Sequence, residues 1–108
     1  MGESKSWHFV ASVKDVAEDE PLAVEVECKK IGIYQIDDEY YAIDDICPHA
    51  YALLSQGFVD EDEVECPLHN AVFNIKTGKC IKEPGGDINT YKVKVIDGKI
   101  NIKINLTE

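Results

Sequence analysis

Two short stretches constrain this chain more than all the rest. Cys47-Pro48-His49 is followed after sixteen residues by Cys66-Pro67-Leu68-His69, so each stretch offers one thiolate and one imidazole. If the four side chains serve one metal centre, the fold must bring both stretches together, which limits the topology before any strand is assigned. Structural zinc sites commonly open with Cys-x2-4-Cys and close with His-x3-5-His, grouping like ligands within a loop. Here each stretch mixes the two types. That pattern suits a two-iron cluster in which both cysteines hold one metal and both histidines hold the other. Zinc, or a pair of merely buried thiols, stays open as an alternative on the residues alone.

Cys47 to His69 resembles the Rieske signature, Cys-x-His-x15-17-Cys-x2-His, and the flanking stretches extend the similarity over nearly the whole chain. In Rieske centres two histidines replace two cysteines on one iron of a [2Fe-2S] cluster. The resemblance is greatest to the stand-alone Rieske ferredoxins that feed electrons to bacterial ring-hydroxylating dioxygenases. It implies one such cluster, with Cys47 and Cys66 on the buried iron and His49 and His69 on the outer iron near the surface. It also implies two partners, an NAD(P)H-dependent flavin reductase that supplies electrons and a terminal Rieske oxygenase that receives them. With every iron position filled by protein and sulfide, such a centre carries electrons and is not an enzyme's active site.

The resemblance extends to what is missing. High-potential Rieske proteins place a serine and a tyrosine two and four residues after the second ligand histidine, where this chain has Ala71 and Phe73. Their bracing disulfide would fall at Ala52 and Leu68. A low reduction potential is therefore implied. The punctuated segment Glu83-Pro84-Gly85-Gly86-Asp87 stands where Rieske domains place a proline-containing loop over the cluster.

Bulk properties agree with a small carrier. The 108 residues suit one domain, with the cluster tying loops that a modest core would hold weakly. Twenty-one acids oppose eleven bases, all lysine, for a net charge of -10. Such a surface repels phosphate backbones, excluding nucleic acid as a natural partner and favouring a basic protein surface. Asp44, Asp45 and Asp60 to Glu63 are the candidate acidic patch. No apolar run approaches a membrane span, and Met1 to Ser6 lacks the features of a signal peptide, so we expect no membrane attachment and a cytoplasmic location. Without a secretory context, Cys28 and Cys80 read as structural thiols and not as disulfide partners. His8 has no Cys or His near it in sequence and is left out of the site.

Along the chain, Trp7 to Ala11 reads as a first strand and Asp15 to Pro21 as a loop. Leu22 to Glu27 alternates apolar and acidic residues, as a strand with one wet face does. We place a turn at Lys29-Lys30, a strand at Ile31 to Ile36, a turn at Asp37-Asp38 and a strand at Glu39 to Ile43. Tyr51 to Leu54 reads as a helical turn, Gln56 to Val59 as extended and Asn70 to Ile75 as a strand. A tight turn at Lys76 to Lys79 lets Gly78 take a positive φ. Asp97-Gly98 between alternating runs is a strong hairpin signal. The expected fold is all-β, a Rieske-type antiparallel β-sandwich or barrel forming a single domain over residues 1–108. A small cluster-binding subdomain at about residues 45–75 is inserted in it.

From the same length we expect no mononuclear-iron domain of the kind an oxygenase needs. The small Rieske-like subunit of an assimilatory nitrite reductase is the second reading, and a zinc-binding interaction module the third. Since the cluster joins two stretches that little else holds, Cys47→Ser or Cys66→Ser should yield colourless, poorly folded protein. A full-intensity reducible cluster in either variant, read by visible absorbance, would remove that residue from the ligand set.

Overall fold

The computed structural model describes residues 5–17, 20–47, 52–68, 71–82 and 87–105. Among them the strands are β1 (Lys5–Ser12), β2 (Leu22–Val26), β3 (Lys29–Ile36), β4 (Glu39–Asp44), β5 (Phe58–Asp60), β6 (Glu63–Glu65), β7 (Val72–Asn74), β8 (Cys80–Lys82), β9 (Thr90–Ile96) and β10 (Lys99–Asn105). Single 3-10 turns lie at Val13–Asp15 and Leu54–Gln56. The all-β reading holds. One sheet of six strands runs β1-β10-β9-β4-β3-β2, and its edge strands β1 and β2 touch, nearly closing it into a barrel. A second sheet of four runs β5-β6-β7-β8, and all neighbours in both sheets are antiparallel.

Side chains on a strand point alternately to opposite faces, and β3 buries both of its faces. Ile31 and Ile33 enter the barrel interior with Ala11, Val16, Ala42, Ile100, Ile102 and Ile104. Tyr34 and Ile36 point the other way, joining Ile43, Leu54, Val64, Phe73 and Ile75 in a second core that also contains Cys47 and Cys66. Strand β4 divides in the same manner, Ala42 into one core and Ile43 into the other. Burying a side chain of this size contributes about 1.5–3 kcal/mol, so β3 and β4 are the wall to which the smaller sheet is attached.

Three two-residue hairpin turns shape the large sheet. Asp37-Asp38 and Asp97-Gly98 fall where the sequence places them, with φ of 52° and 68°, then 53° and 75°. The turn expected at Lys29-Lys30 instead falls at Glu27-Cys28, with φ of 51° and 68°. The reason is register. Pairing Leu22 with Ile33 and Val24 with Ile31 aligns the apolar rows, which pairs Val26 with Lys29 and Glu25 with Lys30 and leaves only two residues for the turn. Lys30 Nζ then stands 3.5 Å from Glu25 Oε1 on an exposed face.

The helical turn expected at Tyr51 to Leu54 is a 3-10 turn at Leu54–Gln56, and Tyr51 lies outside the described residues. Strand β8 was not anticipated. Gly78 has φ of 78°, as its turn requires. Gly57 is needed for space: an added Cβ would overlap the carbonyl of Glu65, the residue before Cys66. Gly57→Ala should therefore push β6 away and cost about 1–3 kcal/mol, measured as a lower urea midpoint.

Candidate metal centre

Cys47 follows β4 by three residues, and Cys66 directly follows β6. Both are 2% exposed and belong to the same buried cluster, so the fold does bring the two stretches together. The local construction is the same twice. The Cys47 amide donates to the Ala52 carbonyl at 3.0 Å, and the Cys66 amide donates to the Ala71 carbonyl at 2.9 Å. Each cysteine thus opens a span whose backbone is closed five residues on. His49 falls within the first span and His69 within the second, and both lie outside the described residues, as do residues 83–86 of the segment expected over the cluster. Pro67 and Leu68 are exposed directly after buried Cys66, so the chain passes from core to solvent within one residue.

The flanks of the spans differ. Cys66 and Ala71 continue the β6–β7 ladder, where Val64 pairs with Phe73 and Glu65 with Val72. On the Cys47 side an isolated bridge, Ile46 with Leu53, is followed by the Leu54 amide donating to the Asp45 carbonyl at 2.7 Å, with no named strand on the return among the described residues. Asp45 reinforces it: its carboxylate accepts from the Ser55 amide at 2.7 Å and the Ser55 hydroxyl at 2.9 Å. Asp44 accepts from the Tyr91 hydroxyl at 2.6 Å and from the Asn89 amide at 3.0 Å.

These contacts correct the acidic patch. Asp45 is 1% exposed and Asp44 is half-buried, so neither is a free surface charge. Asp60 and Glu61 remain exposed at the β5–β6 turn. The signal for Asp45 was present in the sequence: alternation along β4 puts it on the face of buried Ile43. His8 stands on β1 opposite Ile102, whose side chain fills the barrel interior. Cys28 is exposed at its turn, and Cys80 is half-buried at the start of β8. Among the described residues no group of three or more His, Cys, Asp or Glu side chains is arranged to hold a metal.

Residues 6–92 match the Rieske [2Fe-2S] domain, and the chain belongs to that family. The anthranilate 1,2-dioxygenase ferredoxin subunit of Burkholderia cepacia is 37% identical over 102 residues, covering 91% of this chain and 92% of that protein. The solved Sphingomonas yanoikuyae B1 ferredoxin has a TM-score of 0.87 at 33% identity, covering 92% of this chain and 99% of its own. A chain in the complex of reduced oxygenase and oxidized ferredoxin of carbazole 1,9a-dioxygenase aligns with a TM-score of 0.82 at 31% identity, over 89% of this chain and 91% of that one. A nitrite reductase small subunit from Mycobacterium tuberculosis has a TM-score of 0.85 but 18% identity over 97% of this chain and all of that one, a likeness of fold alone. The family's group is one [2Fe-2S] cluster. Two buried thiols on matched spans that converge in one core fit the sulfur side of its donor set.

Two phenols beside this region titrate unusually. Burial, and then the charge of Asp45, raise Tyr34 far above the ordinary tyrosine value near 10. Burial, followed by the hydrogen bond to Asp44 and its charge, does the same to Tyr91. Above pH about 10 the unfolded chain releases these protons while the folded chain keeps them. Their contribution to stability is thus complete below pH about 10 and is lost as pH rises toward the folded values. Urea midpoints should hold to about pH 9 and fall beyond about pH 10, with a shallower fall in Tyr34→Phe and Tyr91→Phe.

Proposed function

We propose that this chain is a low-potential Rieske ferredoxin, a one-electron carrier from an NADH-dependent flavin reductase to a terminal aromatic-ring-hydroxylating dioxygenase. The observation that carries the reading is the pair of buried cysteines on twin closed spans, each containing a histidine, in a chain 37% identical to a dioxygenase ferredoxin subunit over nine-tenths of its length. Cys47 and Cys66 would hold one iron of the cluster, and His49 and His69 would hold the other. When bound, the cluster supplies one reversible electron at a time, with no open iron position for a substrate. We read residues 1–108 as one domain with residues 45–75 as its cluster-bearing part, working in the cytoplasm. Among the described residues no helix is long and apolar enough to cross a membrane.

The chain's own residues shape the carrier in three ways. Burial of both cysteines in an apolar core keeps water from their sulfurs. Exposed Pro67 and Leu68, next to ligand His69 in sequence, offer a small apolar contact for a partner, while Asp60 and Glu61 supply exposed negative charge that can steer a basic one.

Ala71 and Phe73 are fully buried in the same core as Cys47 and Cys66, and neither has a side-chain donor. Hydrogen bonds to cluster sulfurs stabilise the more negative, reduced state, and positions 71 and 73 supply no side-chain donor for one, which favours a low potential. An anaerobic redox titration followed by visible absorbance tests the proposal. The midpoint should lie at the low end of the Rieske range of roughly -150 to +300 mV, and Ala71→Ser should raise it. A midpoint above roughly +100 mV, in the upper part of that range, would contradict the dioxygenase role.

A further inference from the structure

We infer that Asp45, a residue outside the ligand set, is a positioning residue that fixes the first ligand span through Ser55; the inference rests on reading Cys47 and His49 as ligands. Asp45 is anchored on one side and grips on the other. Its amide donates to the Lys30 carbonyl of β3 at 2.9 Å, tying it to the barrel wall. Its carbonyl accepts from the Leu54 amide at 2.7 Å, and its two carboxylate oxygens take the Ser55 amide and hydroxyl separately. Four hydrogen bonds therefore converge on one residue that is 1% exposed.

The space for this residue is made by a neighbour. Gly32, on β3, is buried, and a Cβ there would stand 2.9 Å from Tyr34 Cε1 and 3.3 Å from Asp45 Oδ1. The Tyr34 ring thus lies over Gly32 and beside the carboxylate, screening it from water, with the phenol oxygen itself lacking a hydrogen-bond partner among the described residues. A buried carboxylate is costly unless its oxygens are satisfied, and Ser55 satisfies both.

The asymmetry of the two spans gives this grip its role. The Cys66 span leaves and re-enters the β6–β7 ladder, whose backbone pairing runs directly into it. The Cys47 span returns through one bridge, Ile46 with Leu53, and the next contacts along that return are those of Asp45 with Leu54 and Ser55. The return of the first span therefore draws on a carboxylate beyond its few backbone bonds, whereas the second is carried by a sheet.

The test uses the full, cluster-loaded chain and three variants: Ser55→Ala, Ser55→Thr and Asp45→Asn. Hydrogen exchange, read by mass spectrometry, compares residues 45–55 with residues 62–72, and electron paramagnetic resonance reads the dithionite-reduced cluster. Loss of a hydrogen bond to a charged group corresponds to about a tenfold change or more. Ser55→Ala should speed exchange by about that factor over 45–55 only, and should broaden the resonance lines as the first pair takes a spread of orientations. Ser55→Thr keeps the hydroxyl and should match the unmodified chain. Asp45→Asn, which keeps one acceptor oxygen, should fall between. Equal acceleration over both regions, or unchanged exchange with unchanged line widths in Ser55→Ala, would overturn the inference. Absence of a Rieske-type resonance from the unmodified protein would instead overturn the ligand reading, a result visible before any variant is made.

Discussion

Burial of β3 and β4 on both faces is the constraint on which the rest of this protein depends. Either strand with one wet face would complete a small barrel and nothing more. Because Tyr34, Ile36 and Ile43 present a second apolar surface, the four-stranded sheet must dock there, and with it come Val64 and Phe73 on the strands that flank Cys66. Cys47 needs no such journey, since it leaves the end of β4 itself. The two thiols meet because one follows a strand of the wall and the other belongs to the sheet packed against it. Tight packing in such a core resists small displacements, which suits a centre that changes charge without changing shape.

Much of this was legible from residue patterns. Alternation gave β2, β9 and β10, the Asp37-Asp38 turn marked the start of β4, and Asp97-Gly98 gave its hairpin because glycine accepts positive φ without strain. Glu27-Cys28 carried no such mark. Its residues take the same left-handed turn only because the rows of Leu22 and Val24 must align with Ile33 and Ile31, and that is a property of pairs of strands. Strand β8 was hidden for a related reason: Cys80, Ile81 and Lys82 form too short a run to show a period, and they become a strand by pairing with β7.

At the site, the ligand spacing was the clearest signal, since a Cys-x-His and a Cys-x2-His repeated across a short gap leave few chemical uses. What surrounds the ligands was harder to read. Acidic residues in a strongly acidic chain invite a solvent-facing interpretation, and Asp44-Asp45 looked like the end of a strand running into water. Following the two-residue period one step past Ile43 places Asp45 inward, and a serine ten residues on is its partner. Composition pointed outward, periodicity pointed inward, and packing sided with periodicity.

The separation into two cores has a consequence for how such a chain can vary. The barrel interior, from Ala11 and Ile31 to Ile104, and the core around Cys47 and Cys66 lie on opposite faces of β3 and β4, which they share as a partition. Substitutions at well-separated positions with no shared partners act almost independently. Sequence drift inside the barrel can therefore proceed with little effect on the redox centre, and the centre can be retuned while the barrel keeps the chain folded. The two cores divide the molecule into a part that can evolve for durability and a part that can evolve for potential.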